Sequence, residues 1–400
     1  MAVVQPRPGA RTTAFSDLQG AGRLAVAAVV GVTDIVEDMH RNIAGLAPVV
    51  GASPSGRARG ISGLVYRGVR GVTRAVGFGL DTAFGALTPL LGSAGSSPRR
   101  EAVLAALNGV FGDYLAASNN PLAITMQLRR NGQPLVLERH ALASDFVHSG
   151  GKLLVLVHGL CMNDLQWARE GHDHGAALAR DLGYAAIYLH YNSGRHIATN
   201  GREFAATLER LVQSWPVPIT ELVIVGHSMG GLVARSACHC AKQAGQPWLR
   251  HLKKLVFLGT PHHGAPLERA GNWVDYLLGV SPYTAPFARL GTIRSAGIKD
   301  LRHGRFTDEG VDAGKAVPLP ARVKCFAVAA TKHDAAGGSR GRLPGDGLVP
   351  VNSALGKHEN VALALPIPAS RQAICYGSNH FDLLSSAVVY DRIRGWLATG

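Results

Sequence analysis

From about residue 120 onward, apolar runs of strand length alternate with stretches of helical period. The strand-like runs are Lys152–His158, Ala185–Tyr191, Glu221–His227, Lys253–Gly259 and Val323–Ala329. The helical stretches lie near Gly175–Leu182, Arg202–Ser214, Met229–Ala244 and Phe381–Leu397. Strands that are apolar almost throughout are buried on both faces, so the alternation predicts a mostly parallel sheet flanked by helices. Ahead of it, Ile124–Arg129 and Pro134–Glu138 bracket Asn131-Gly132, a pair that favours a tight hairpin turn. The mixed segment Gly264–Pro320 interrupts the alternation and reads as a cap or lid insertion.

The first hundred residues read differently, as helices joined by Gly, Pro and Ser. Leu24, Ile35, Val36, Met39, Ile43 and Leu46 suggest one apolar stripe. In Ile61–Leu80, the turn angle of about 100° per residue puts Arg67, Arg70 and Arg74 on one face. Val65, Val69, Val72 and Val76 fall on the opposite face. Gly92–Pro98 reads as a linker, and a helix is expected from about Arg100 to Ala117. The predicted organisation is a helical N-terminal region, 1–118, and an α/β domain, 119–400, with its cap at 264–320.

Composition sharpens this picture. A chain of 400 residues with 46% hydrophobic and 17% charged residues can bury a core, which excludes general disorder. The formal charge is +14, of which the first 100 residues carry +6. Aromatics at 6% leave little for base stacking, so no nucleic-acid partner is expected. The basic face of Ile61–Leu80 fits attachment to a membrane or lipid-granule surface. It equally fits a helix packed on its neighbour with arginines in water, and frequent Gly without Trp leans that way. Five scattered cysteines form no disulfide framework, and no targeting segment is evident. The expected location is cytoplasmic, with peripheral attachment to a membrane or granule through residues 1–100 as the alternative.

The strongest chemical signal is Gly226-His227-Ser228-Met229-Gly230. It follows the apolar strand Leu222–Val225 and opens an apolar-periodic helix, the context of a nucleophile elbow. Ser228 would sit at a strained apex, with Gly226 and Gly230 admitting close backbones. A serine hydroxyl needs a base to take its proton and an acid to orient that base. His380 lies between a final strand and the terminal helix, where the last sheet loop delivers a base. Asp346, in Gly345–Pro350, is the best-placed acid, with Asp334 its rival. His262 and His263 follow a strand and suit a pocket wall. Met229 N–H and Leu160 N–H, the latter after the strand Lys152–Val157, are the candidate oxyanion donors.

Several segments carry the same resemblance: Val157–Leu160, Gly226–Gly231, Gly259–Gly264, Gly345–Val349 and Asn379–Asp382. In this order they resemble the serial motifs of bacterial α/β-hydrolase lipases and esterases. They are also similar to the deacylase domains that cleave acyl groups from inositol lipids. The resemblance covers roughly residues 120–400. It implies an α/β-hydrolase fold, the triad Ser228, Asp346 and His380, no cofactor, and an acyl-ester or lipid substrate. Some such lipases bind calcium through an aspartate at the position of Asp382 and a second before the catalytic acid. That second aspartate has no match near Val323–Ala330, so no metal is expected. The expected function is carboxylic ester hydrolysis through an acyl-enzyme on Ser228. The alternatives are an acyltransferase using the same triad, and a membrane- or granule-binding protein that retains the fold.

Three weaker signals point elsewhere. His172-Asp173-His174 looks metal-like, but on a helix the two rings would diverge by about 200°. Cys238-His239-Cys240 fails by the same geometry. Arg195, after a strand, could reach substrate or simply belong to the start of a helix.

Overall fold

The computed structural model describes residues 97–146, 149–264, 295–307, 317–334 and 345–399. The basic helix expected at Ile61–Leu80, the linker up to Ser96 and most of the cap segment lie outside the described residues, while Pro98, given to the linker, opens a helix. The chain divides into two compact units. One is residues 1–100 with 117–123; the other is residues 101–116 with 124–400. The larger unit holds the sheet.

The helices are α1 (Pro98–Ala117), α2 (Arg139–Asp145), α3 (His174–Leu182), α4 (Ile197–Ser214), α5 (Met229–Gln243), α6 (Ala296–His303), α7 (Val351–Ala354) and α8 (Ala387–Ala398). The strands are β1 (Gln127–Arg130), β2 (Gln133–Pro134), β3 (Lys152–Val157), β4 (Ala185–His190), β5 (Glu221–His227), β6 (Leu252–Leu258), β7 (Lys324–Ala330) and β8 (Gln372–Cys375). They form one sheet in the order β2-β1-β4-β3-β5-β6-β7-β8. From β4 to β8 every pairing is parallel, and β1 joins β4 antiparallel. The mostly parallel sheet expected from the sequence is therefore present.

Local chemistry sets the element ends. Asn131 and Gly132 both take left-handed backbone, with φ of 50° and 73°, and turn β1 into β2. The second strand is shorter than its apolar run: only Gln133 and Pro134 pair with β1, and Leu135 N–H adds one further bond to Leu128 O at 2.8 Å. Helix α3 starts where the Asp173 carboxylate accepts from Ala176 N–H at 2.9 Å and stops at left-handed Gly183. The terminal helix is shorter than its pattern. Asp382–Leu384 forms a separate tight turn, and α8 begins at Ala387.

The core lies around the central strands. Leu153 to Val157 and Leu222 to Val225 are all fully buried. Ile197, Phe204, Leu208 and Leu211, one stripe of α4, are buried too. At about 25 cal/mol per Å², burial of such side chains supplies roughly 1.5–3 kcal/mol each. Register brings the carboxyl ends of the strands into one row: Val157 pairs Gly226, and His227 pairs Leu258. Ligands of open α/β sheets bind beyond this edge. Among the described residues, no helix is long and apolar enough to cross a membrane.

Candidate active site

Ser228 occupies the turn between β5 and α5 with φ 53° and ψ −125°, a costly conformation for a residue with a side chain. Small neighbours make the turn feasible. A Cβ on Gly226 would lie 2.6 Å from Gly231 Cα, and one on Gly230 would run into the Val157 carbonyl. Ser228 N–H donates to Leu258 O at 2.8 Å, fixing the elbow to β6. Its Oγ is buried and has no hydrogen-bond partner among the described residues. Met229 opens α5, so its N–H is one of the amides that a helix leaves unbonded at its positive end.

His380 and Asp346 are fully buried, and His380 Nδ1 lies 2.7 Å from Asp346 Oδ2. A carboxylate only accepts, so Nδ1 carries the proton of this bond and Nε2 holds the lone pair. The other carboxylate oxygen, Oδ1, accepts from Leu348 N–H at 2.9 Å and Val349 N–H at 2.8 Å. Asp346 is thus held in one orientation by its own loop. The His380 ring packs against Gly259, where an added Cβ would meet Cε1 at 2.9 Å. Gly259 directly follows Leu258, the acceptor of the Ser228 amide. Asp334, the rival acid, is exposed, with its carboxylate near Gly377.

The loop after β3 completes the surroundings. Leu160 is buried, and Gly159 lies close enough to the elbow that an added Cβ would sit 3.0 Å from Ser228 Cβ. Burial pushes the His158 imidazole down to about 3, against the hydrogen bond to Gly159 O that raises it. His227, inside the elbow, is held well below the usual histidine range by burial and by the His380 ring beside it. Its contact at 3.2 Å with the His380 carbonyl therefore uses a neutral ring with the proton on Nε2. Sequence reasoning missed this role. The available signal was the position of His227 at the strand end, next to Ser228.

The remaining candidates take other partners. His262 is buried at 3.2 Å from Arg235 Nη1, and its ring meets Phe257 edge-on. Burial first, then Arg235, hold it well below the usual range. Arg195 pairs with Glu203 on α4 at 2.6 Å. The rings of His172 and His174 do not diverge. Asp173, which caps α3, has extended backbone, so His172 Nε2 comes to 2.8 Å from His174 Nδ1. His174 Nε2–H in turn donates to Leu383 O at 2.9 Å. The Asp382 carboxylate accepts from the backbone and side-chain amides of Asn379, both at 2.8 Å. Among the described residues, no group of three or more His, Cys, Asp or Glu could hold a metal ion.

Residues 148–303 match the family model of the PGAP1-like alpha/beta domain. That span runs from just before β3 to the end of α6 and includes the elbow. No curated protein matches the chain. Among solved structures, the chain is similar to a mature lipase of Bacillus licheniformis, with 19% identity, covering 68% of this chain and 98% of that one at a TM-score of 0.43. It is also similar to an esterase of Pyrococcus furiosus, with 14% identity over 63% and 81% of the two chains and a TM-score of 0.40. Lipase B of Aspergillus fumigatus shares 13% identity over 64% of this chain and 57% of its own, with a TM-score of 0.37.

Proposed function

We propose that this chain, an α/β-hydrolase by its sheet and by its family match over residues 148–303, hydrolyses carboxylic esters through an acyl-enzyme on Ser228. The observation that carries this reading is the 2.7 Å contact between Asp346 Oδ2 and His380 Nδ1, with the ring against Gly259 beside the elbow. His380 Nε2 takes the Ser228 proton as Oγ attacks the acyl carbonyl. Asp346 holds the tautomer and stabilises the imidazolium. Met229 N–H and Leu160 N–H bind the oxyanion. The alkoxide leaves with the proton from His380. Water then attacks the acyl-enzyme, gives its proton to His380, and releases the acid and free Ser228.

A lipid or other acyl ester is the proposed substrate, supported by the ordered motifs shared with lipases and inositol-lipid deacylases. Residues 1–100 are proposed to bring the sheet-bearing unit to a membrane or granule surface through the arginine face of Ile61–Leu80. The test of the activity is a panel of esters, thioesters and phospholipids with added alcohol acceptors. Hydrolysis by the wild type and its absence in Ser228→Ala are expected. Hydrolysis that survives in Ser228→Ala would sink the assignment, and transfer to the acceptor in place of hydrolysis would make the protein an acyltransferase. Sedimentation with anionic liposomes should fall when Arg67, Arg70 and Arg74 are all changed to Glu; unchanged sedimentation would refute the surface role.

A further inference from the structure

An oxyanion donor accelerates reaction only if it is already aimed before charge develops. The loop His158–Cys161 carries no regular hydrogen-bond ladder, so something else must aim Leu160 N–H. Three successive peptide units of this loop are each tied down. The carbonyl of His158 accepts from Tyr191 Oη–H at 2.8 Å. The carbonyl of Gly159, on the same peptide plane as Leu160 N–H, takes the His158 Nδ1–H at 2.9 Å. The N–H of Cys161 donates to Ser193 Oγ at 3.1 Å. In a trans peptide the C=O and N–H point in opposite directions. The tie on Gly159 O therefore turns Leu160 N–H away from the His158 ring.

Two of the three ties come from one short segment just past β4. Tyr191 is fully buried, and its ring stacks on His158 with centroids 4.3 Å apart. Ser193 is also buried. Asn192 between them stiffens the segment. Its Oδ1 accepts from Gly194 N–H at 3.1 Å, its Nδ2 donates to Gly112 O at 2.9 Å, and its carbonyl accepts from Asn200 Nδ2 at 2.9 Å. Cys161 is held at φ 58°, a left-handed conformation that a loosened loop would leave.

We propose that Tyr191 and Ser193 are positioning residues of the oxyanion hole. They clamp the peptides on either side of the Gly159–Leu160 peptide so that the Leu160 N–H faces the developing oxyanion. Neither touches substrate. The inference rests on the ester-hydrolase reading and on Leu160 as the second donor. Loss of a whole oxyanion donor costs about 10²–10³ in kcat. A loosened donor should cost less, about 10-fold or more.

The test compares wild type, Tyr191→Phe, Ser193→Ala and Ser228→Ala on one short-chain ester. Inhibition by a trifluoromethyl ketone, which binds serine hydrolases as an oxyanionic adduct, is measured in parallel. Tyr191→Phe keeps the ring stack and removes only the donor. The two variants are read separately, so that one failing to fold leaves the other. The expected result is a fall in kcat of about 10-fold or more and KM within about 2-fold. The ketone Ki should rise in step with the loss of kcat/KM, and the thermal midpoint should move by only a few degrees. Unchanged kcat, or a fall in kcat with no change in ketone Ki, would overturn the clamp. Turnover absent from wild type, or surviving in Ser228→Ala, would instead overturn the ester-hydrolase reading itself.

Discussion

The His227 Nε2–H donates to the carbonyl of His380 at 3.2 Å, with the two ring centroids 4.7 Å apart. The residue before the proposed nucleophile thus holds the backbone of the proposed base. Removing that donor should let the loop of His380 drift. His227→Ala is expected to lower kcat about 10-fold or more with little change in KM, since small misplacements at a reacting centre are costly. His227→Gln, which can reach the same carbonyl with an amide N–H, should recover most of the loss. Steady-state kinetics of the two variants check this; equal defects would contradict it.

Asp346 offers a sharper case. Its Oδ1 is committed to the amides of Leu348 and Val349. In Asp346→Asn the carbonyl oxygen should keep those bonds, which turns the NH₂ toward His380 Nδ1. That forces the proton of His380 onto Nε2, where it can no longer accept from Ser228. A loss on the order of 10⁴ in kcat is expected for the wrong tautomer. Asp334→Asn, at an exposed position, should leave kcat within about 2-fold. A reversed pattern in the two variants would make Asp334 the acid.

Much of this arrangement was legible in the chain. The buried strands advertise themselves by their unbroken apolar runs, and the elbow by a glycine spacing that few other turns require. Asp346 and His380 were legible as loop positions, because the residues after late strands must lie at the carboxyl edge of a parallel sheet. Tyr191, Ser193 and His227 were not. Their roles depend on the register that sets β3 beside β4 and β5, and on bonds between Ser193 and Cys161 or His227 and His380 that no local pattern encodes. The meeting of His172 with His174 is hidden for a related reason. The helix begins only at His174, after the extended cap at Asp173, so helical spacing does not govern this pair.

Position 259 tests how tightly the site is packed. Gly259 has φ 58°, and a Cβ there would meet His380 Cε1 at 2.9 Å and Leu383 Cδ1 at 2.8 Å. Gly259→Ala should displace the ring and reduce kcat by roughly 10–100-fold. It should also cost about 1 kcal/mol of stability from the left-handed backbone. Kinetics and denaturant unfolding of the variant check both; wild-type kcat would show that the ring has room.

Among the described residues, four histidines are buried and held neutral: His158 at about 3, His174 at about 4, and His227 and His262 well below the ordinary value. Burial is the first cause in each case. Unfolded histidine titrates near 6.5, so below that pH the unfolded chain binds protons that the folded chain refuses. Stability is therefore unaffected above about pH 7 and falls as pH drops through 6.5. Each group contributes a slope of up to about 1.4 kcal/mol per pH unit. For His158 and His174 the slope ends near pH 3 and 4, where the folded state also takes the proton. Burial pushes the Asp164 carboxyl up, but His190 and Arg129 together outweigh it and hold the group below its usual range, which adds a further loss under more acidic conditions. Urea unfolding at pH 7.5 and pH 5 should differ by several kcal/mol, and equal midpoints would contradict the assignment.

Ser228 is proposed to be an activated nucleophile. Treatment of the full chain with a fluorophosphonate, followed by peptide mass spectrometry, tests it most directly. A single phosphonyl adduct is expected on the peptide containing Ser228, and none in Ser228→Ala. Failure of the wild type to label, or an adduct that persists in Ser228→Ala, would contradict it.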